Sequence, residues 1–401
     1  MKKTLIVGAL LVVAAAGSSL LLGSQTQKEY LKWVNSLSAH PGISAKSLDF
    51  ESSLFAPTAK TKLSVTDPVL KASLAERGLP DSLVLVHQFQ VWPWQVASST
   101  AIAWDKKSAP FKALFGSDIA LKVEGHHWIW GTQSLKGRVG MASWQQDGEL
   151  LNFYPLTFSA SHSQQHWQQS FNWNGMEAKS PEGRLVLSGV KLKKEGQGDD
   201  GHFDGQLGAV TYTGEHFVGL SGMTFKGTDS DKLTKGRLQA EEAKFNREPF
   251  SHLDLALAME SVNNHALDKL LLSALGIGLT GDAEARSQFS AALGALLSGG
   301  GKLQLDDLSL DSVNGKLIGR GQLALKAGSV DSLESFLDAS QGELKLVVPR
   351  HFGELASLDT DTLNVLAQRG WVREESGGLG LDFKVADKLL TLNQQPLMKA
   401  L

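Results

Sequence analysis

Hydrophobic and polar residues alternate with a period of two along most of this 401-residue chain, and that period predicts strands. Such runs occupy Ser82–Val91, Gln95–Trp104, Ser117–Trp130, Leu135–Trp144 and Glu149–Phe158, with a polar, Gly or Pro break after each. The pattern resumes at Gly183–Lys193, His202–Thr213, Phe217–Lys226, Gly236–Phe245 and His252–Met259. Further strands are expected at Lys302–Asp311 and Lys316–Lys326, a hairpin turning at Asn314-Gly315, and at Gly342–Val348, Leu379–Val385 and Leu389–Asn393. Short links make these an antiparallel meander, because parallel neighbours need long crossovers.

Helical spacing appears in fewer places. Tyr30, Trp33, Val34 and Leu37 share one face of Gln25–Leu37. Asp67-Pro68 opens a short helix carrying Leu70 and Leu74 and ending at Gly78. Asn263 or Asn264 caps a stripe of Leu267, Leu270, Leu271, Ala274 and Leu275, and Asp282 begins another with Phe289, Leu293, Leu296 and Leu297. A last helix spans about Asp361 to Gln368. The expected class is therefore α+β: a mostly antiparallel sheet meander, several short helices in the second half covering a sheet face, and one amino-terminal transmembrane helix. Residues 1–23 form a membrane anchor or signal segment, 24–82 an amphipathic helix and connecting region, 83–260 a β-rich periplasmic region, and 261–401 strands with covering helices.

The leader sets the compartment. Lys2 and Lys3 precede an uncharged run in which Leu5, Leu10, Leu11, Val13, Leu20 and Leu22 supply the apolar surface. Ala14-Ala15-Ala16 offers a signal-peptide cleavage point, whereas Leu20-Leu21-Leu22 continue the run towards the roughly 20 residues that span a bilayer. The continuation favours the anchor. Both readings leave the lysines in the cytoplasm and the body outside. Tyr30 and Trp33 then either sit at the membrane interface or pack on the domain. With no cysteine, the chain folds on its core alone, as expected of a bacterial inner-membrane protein facing the periplasm.

Composition narrows the function without naming it. A formal net charge of −3 with interspersed signs lacks the basic footprint of a nucleic-acid binder. No Gly-x-Ser-x-Gly elbow, phosphate loop or His-Glu-x-x-His occurs, and Asp199–Gly205 lacks the spacing of a calcium loop. His126 and His127 adjoin, but strand neighbours point to opposite faces and do not share one ion. Metal, cofactor and catalytic residues are therefore expected to be none. Most of the ten tryptophans lie between Trp92 and Trp173. Of these, Trp128, Trp130, Trp167 and Trp173 either line an apolar ligand surface or fill a sheet core.

The carboxyl end carries a resemblance. Leu389-Leu390-Thr391-Leu392-Asn393-Gln394-Gln395-Pro396 resembles the closing "G-x-L-T-x-N-G-x-P" strand of the YdgA-like bacterial family of unassigned function. Gly342–Pro349, Leu296–Lys326, Asp254–Leu271 and the leader with its Glu29-Tyr30 helix fit the same pattern. The chain departs at Gln394, at Lys388 and at Gln90-Val91-Trp92-Pro93, where the family carries a His-Gly-Pro step. The resemblance implies a membrane-anchored periplasmic protein distantly similar to AsmA-like envelope proteins, which use long sheets with an apolar concave face in lipid traffic. The expected function is non-enzymatic: a β-rich surface binding inner-membrane lipid or another envelope component. A scaffold for an inner-membrane complex is the alternative.

Overall fold

The structure is a computed structural model and describes residues 26–399 other than 39–41, 77, 116–119, 147, 199, 216, 231–232, 246–247, 262–282, 329–331, 351–359 and 376–377. The leader residues and the expected helix after Asn263 lie outside these. Among the described residues no helix is long and apolar enough to cross a membrane.

The chain divides into two units, residues 1–198 and 199–401. The first holds α1 (Thr26–Ser38), β1 (Ile43–Glu51), β2 (Thr58–Val65), α2 (Pro68–Glu76), β3 (Ser82–Trp92), β4 (Gln95–Ala103), α3 (Ala109–Lys112), β5 (Leu121–Trp128) and β6 (Gln133–Val139). After them come β7 (Ala142–Gln146), β8 (Glu149–Phe153), β9 (Leu156–Ser163), β10 (His166–Ser180) and β11 (Gly183–Gln197). Their order is β1-β2-β3-β4-β5-β6-β9-β10-β11, all antiparallel. The β7–β8 hairpin lies along the second half of β10.

One face of this sheet closes into a core. Along β5, burial alternates between Leu121, Val123, Gly125 and His127, which are buried, and the residues between them. Tyr30, Trp33, Val34 and Leu37 of α1 seal the β1–β3 side, and Phe111, Leu114 and Phe115 fill the space beside Trp104. The apolar stripe of α1 thus finds the cover that an amphipathic helix requires.

The second unit is a sheet of longer strands: β12 (Asp200–Thr213), β13 (Phe217–Asp229), β14 (Leu233–Phe245), β15 (Glu248–Glu260), β16 (Gly301–Ser312), β17 (Gly315–Leu325), β18 (Ser340–Val348), β19 (Arg373–Glu375), β20 (Gly378–Ala386), β21 (Leu389–Leu392) and β22 (Gln395–Lys399). They pair antiparallel in chain order, except that β18 pairs with β20, and β19 occupies the β21 side of β20 at its start. Helices α4 (Ala283–Ser298), α5 (Leu333–Ala339) and α6 (Thr360–Gln368) interrupt the meander. A capping box at Ser332 and Ser335 starts α5.

The expected α+β class is corrected by these 22 strands, against six short helices among the described residues: the protein is nearly all antiparallel sheet. Three strands account for much of the difference. Thr58–Val65 and Ile43–Glu51 place Ala45, Ala59 and Thr61 at inward positions where a core face usually carries Leu or Val, so periodicity alone passes them over. In β10, Gln168, Ser170, Asn172 and Asn174 make the outward face and dilute the pattern of Trp167, Phe171 and Trp173. In each unit the pairing runs on across positions 82 and 260, β2 with β3 and β15 with β16.

Candidate functional surfaces

Tyr30 and Trp33 are withdrawn from any membrane interface, because both rings are buried in the first unit's core. Tyr30 anchors a polar chain through that core. Its hydroxyl donates to the Lys60 carbonyl at 2.9 Å and lies 2.8 Å from Thr61 Oγ1, which is 2.9 Å from His87 Nε2. His87 Nδ1 is in turn 2.8 Å from Thr100 Oγ1. One assignment of protons satisfies every member. Thr100 donates to Nδ1, Nε2–H donates to Thr61, Thr61 donates to Tyr30, and Tyr30 donates to the backbone. In this assignment the imidazole is neutral, and burial favours that form by pushing the His87 pKa down to about 4. The helix is thereby fixed to the sheet by hydrogen bonds as well as by packing.

The direction of α1 follows from its contacts. At its carboxyl end Ser38 Oγ donates to the Ala45 carbonyl at 2.7 Å, while Tyr30 near its amino end packs on Phe50, ring centroids 5.8 Å apart. The helix runs antiparallel to β1. Its first residue therefore lies at the end of the sheet formed by the β1–β2, β3–β4, β5–β6 and β9–β10 loops.

That end gathers exposed apolar residues. Leu54, Phe55, Trp92, Trp94, Ile129 and Trp130 are between 52% and 79% exposed. The loops adjoin: Val91 N–H donates to the Phe55 carbonyl at 2.8 Å, and Ile129 N–H to the Trp94 carbonyl at 3.0 Å. Trp92 stacks with Trp94 at 6.2 Å, and Trp130 stacks on Trp128, which stacks on His126.

The four tryptophans singled out from sequence do not share one surface. Trp128 and Trp130 belong to this loop end, on the sheet face opposite the core. Trp173 packs on Phe153 at 5.1 Å and donates to the Tyr154 carbonyl at 3.1 Å, bridging two core clusters. Trp167 lies beneath Lys194, 5.4 Å from Nζ to the ring centre, and donates to the Gly198 carbonyl at 2.9 Å.

A broad apolar surface lies in the second unit, and sequence reading did not assemble it. Directly opposed residues form one row across eight strands: Gly205, Phe225, Leu238, Leu255, Leu308, Gly319, Leu346 and Leu381. A second runs beside it over nine: Phe203, Gly227, Gly236, Leu257, Leu305, Gly321, Leu344, Phe383 and Leu392. Neither row contains a polar residue. At about 4.8 Å between strands, eight strands make a surface roughly 34 Å wide. None of its Leu or Phe side chains is buried, and Leu257 is 43% exposed.

The glycines allow this surface to lie flat against its rings. A Cβ on Gly205 would meet the Phe225 ring at 2.0 Å, and one on Gly227 would meet Phe203 at 2.3 Å. Each phenylalanine thus lies over a glycine on the neighbouring strand. The reverse face is polar, with Asp204, Lys226 and Arg237 opposed in one row and Gln304, Gln322, Glu343, Lys384 and Thr391 in another. Arg237 pairs with Asp254, whose carboxyl is held below its usual range chiefly by that hydrogen bond.

Among the described residues no group of three or more His, Cys, Asp or Glu could hold a metal ion. His126 and His127 point to opposite faces, as strand geometry requires. A family model described as a bacterial protein of unknown function, DUF945, matches residues 1–399. The chain belongs to that family. No curated protein and no solved structure shows significant similarity to it. The DUF945 match extends over both units, so the loop end and the apolar rows lie within one family unit of sequence.

Proposed function

We propose that this chain is a non-catalytic envelope protein that holds the acyl part of a lipid against the apolar rows of its second unit. It works on the periplasmic side of the bacterial inner membrane. The observation that carries the reading is a sheet face without a polar residue in two rows, whose Leu and Phe side chains remain partly open to solvent. Monomeric proteins rarely leave so wide an apolar surface even partly open to solvent unless something binds there. Acyl chains suit it because the rows offer continuous hydrocarbon and no hydrogen-bonding group that would demand a polar ligand. The envelope assignment is supported by Lys2, Lys3, the apolar run after them and the lack of cysteine. The likeness to YdgA-like and AsmA-like proteins points in the same direction.

Native mass spectrometry and lipid extraction of the full chain, purified from bacterial membranes, test this reading. Acyl-bearing molecules are expected to accompany the wild type and to be lost from the Leu257→Gln/Leu305→Gln double variant. Circular dichroism checks that the variant is folded. A wild type without bound lipid, or a folded variant that retains it equally, overturns the proposal.

A further inference from the structure

We infer that the loop end of the first unit rests on a bilayer surface, with Leu54, Phe55, Trp92, Trp94, Ile129 and Trp130 seated among the headgroups. Three independent observations converge on this occupant. The first is exposure: these six are among the most exposed large apolar side chains described, and they sit on adjoining loops rather than scattered over the unit. Such clustering marks a contact surface.

The second is charge. Residues 52–57, 92–95, 128–133 and 163–166, which form this end, contain no Asp, Glu, Lys or Arg. The links at the opposite end carry Asp67, Lys71, Glu76, Asp81, Asp105, Lys106, Lys107 and Lys112. An interface with another protein ordinarily has a polar, charged rim around its apolar centre. Here the four loops themselves carry no charge, Glu51 and Lys28 lying at their margin, and indole rings favour the boundary between headgroups and hydrocarbon.

The third is the path of the chain. Thr26, the first residue of α1, lies at this same end, so the sequence bearing the uncharged run Thr4–Leu22 joins the first unit beside the exposed rings. A bilayer is the one occupant that both the loops and that run would share. This surface lies in the first unit and does not depend on the lipid-holding role of the second.

The lack of native cysteine gives a direct test in the full chain. Phe55→Cys, Trp94→Cys and Trp130→Cys are labelled singly with an environment-sensitive fluorophore, and Lys106→Cys serves as the control at the opposite end. Each labelled chain is reconstituted into vesicles of phosphatidylethanolamine and phosphatidylglycerol, with and without brominated acyl chains. The three loop labels are expected to shift to shorter wavelength and to be quenched by bromine, while the label at 106 does neither. Loop labels that stay in water on vesicle-bound protein overturn the inference. So does a chain that fails to associate with vesicles, or a loop label already shielded before lipid is added. Lipid retention by the second unit is measured separately, so either proposal can fail without the other.

Discussion

The two units apply one construction, a sheet with a single apolar face, and finish it differently. In the first, the opposed row Ala59, His87, Thr100, Val123, Gly137, Phe158, Phe171 and Leu192 begins buried beneath α1 and becomes open towards β11. In the second, the rows through Leu255 and Leu257 have no buried Leu or Phe anywhere along their length. Among the described residues a small cluster forms at the corner of β20, where Leu363 and Leu366 of α6 meet Val372, Leu379 and Leu381. A covered face stabilises its unit, whereas an open face leaves hydrophobic free energy available for binding.

Truncation is the strongest way to break this comparison. Trp33→Ala removes a buried ring from beneath α1 and is expected to destabilise the first unit by about 3–5 kcal/mol. Leu257→Ala in the second unit is expected to cost under about 1 kcal/mol, because the side chain is already 43% exposed. Hydrogen exchange read by mass spectrometry across a urea series reports each unit separately. Equal costs at the two positions would mean that the second face is closed and not a binding surface.

Acid discriminates between the units more gently. The unfolded chain takes up a proton at His87 near pH 6.5, and the folded chain does so only near pH 4, because burial disfavours the imidazolium. Between those values the unfolded state binds more protons, so stability falls as pH drops. The contribution is complete above pH 6.5, and about 3 kcal/mol is lost by pH 4. Unfolding of the first unit followed from pH 7 to pH 4 should show this slope, and His87→Gln should flatten it. A slope that survives the substitution assigns it to other groups.

These contrasts also show how much the sequence conveys. The antiparallel meander was legible because alternation survives wherever Leu, Val or Phe marks the inward face, as in β5 and β16. Where small or polar residues take inward positions, as Ala59 and Thr61 do in β2, the period is present without the hydrophobicity that reveals it. The stripe Tyr30, Trp33, Val34 and Leu37 predicted a helix but not what it would cover, because a helix face looks the same against a bilayer and against a sheet. Register was the larger gap. The rows through Leu255 and Leu257 exist only once nine strands are aligned, and pairing across strands cannot be read from one strand at a time. Trp92 and Trp94 were conspicuous in sequence, whereas Leu54 and Phe55 became part of the same surface only through the fold.

The smallest effect concerns a turn where this chain departs from the resembling motif. Leu392 pairs with Gln395, leaving Asn393 and Gln394 as a two-residue hairpin turn with φ of 50° and 71°. Such turns demand left-handed backbone at both positions, which a glutamine adopts only under strain and glycine adopts freely. Gln394→Gly is therefore expected to stabilise the second unit by about 0.5–1 kcal/mol, part of the relief being offset by the added freedom of glycine in the unfolded chain. Asn393→Gly at the neighbouring position should do the opposite. The Asn393 amide donates to the Trp371 carbonyl at 2.9 Å and the Gly380 carbonyl at 3.0 Å, and its oxygen accepts from Asp382 N–H at 3.0 Å. Losing these leaves buried backbone groups unpaired, at a cost of about 1–3 kcal/mol. Opposite signs for adjacent glycine substitutions, measured by urea unfolding, would show that the motif keeps Asn for its hydrogen bonds and Gly for its backbone. A loss at both positions would mean that the Gln394 side chain contributes more than its strained backbone costs.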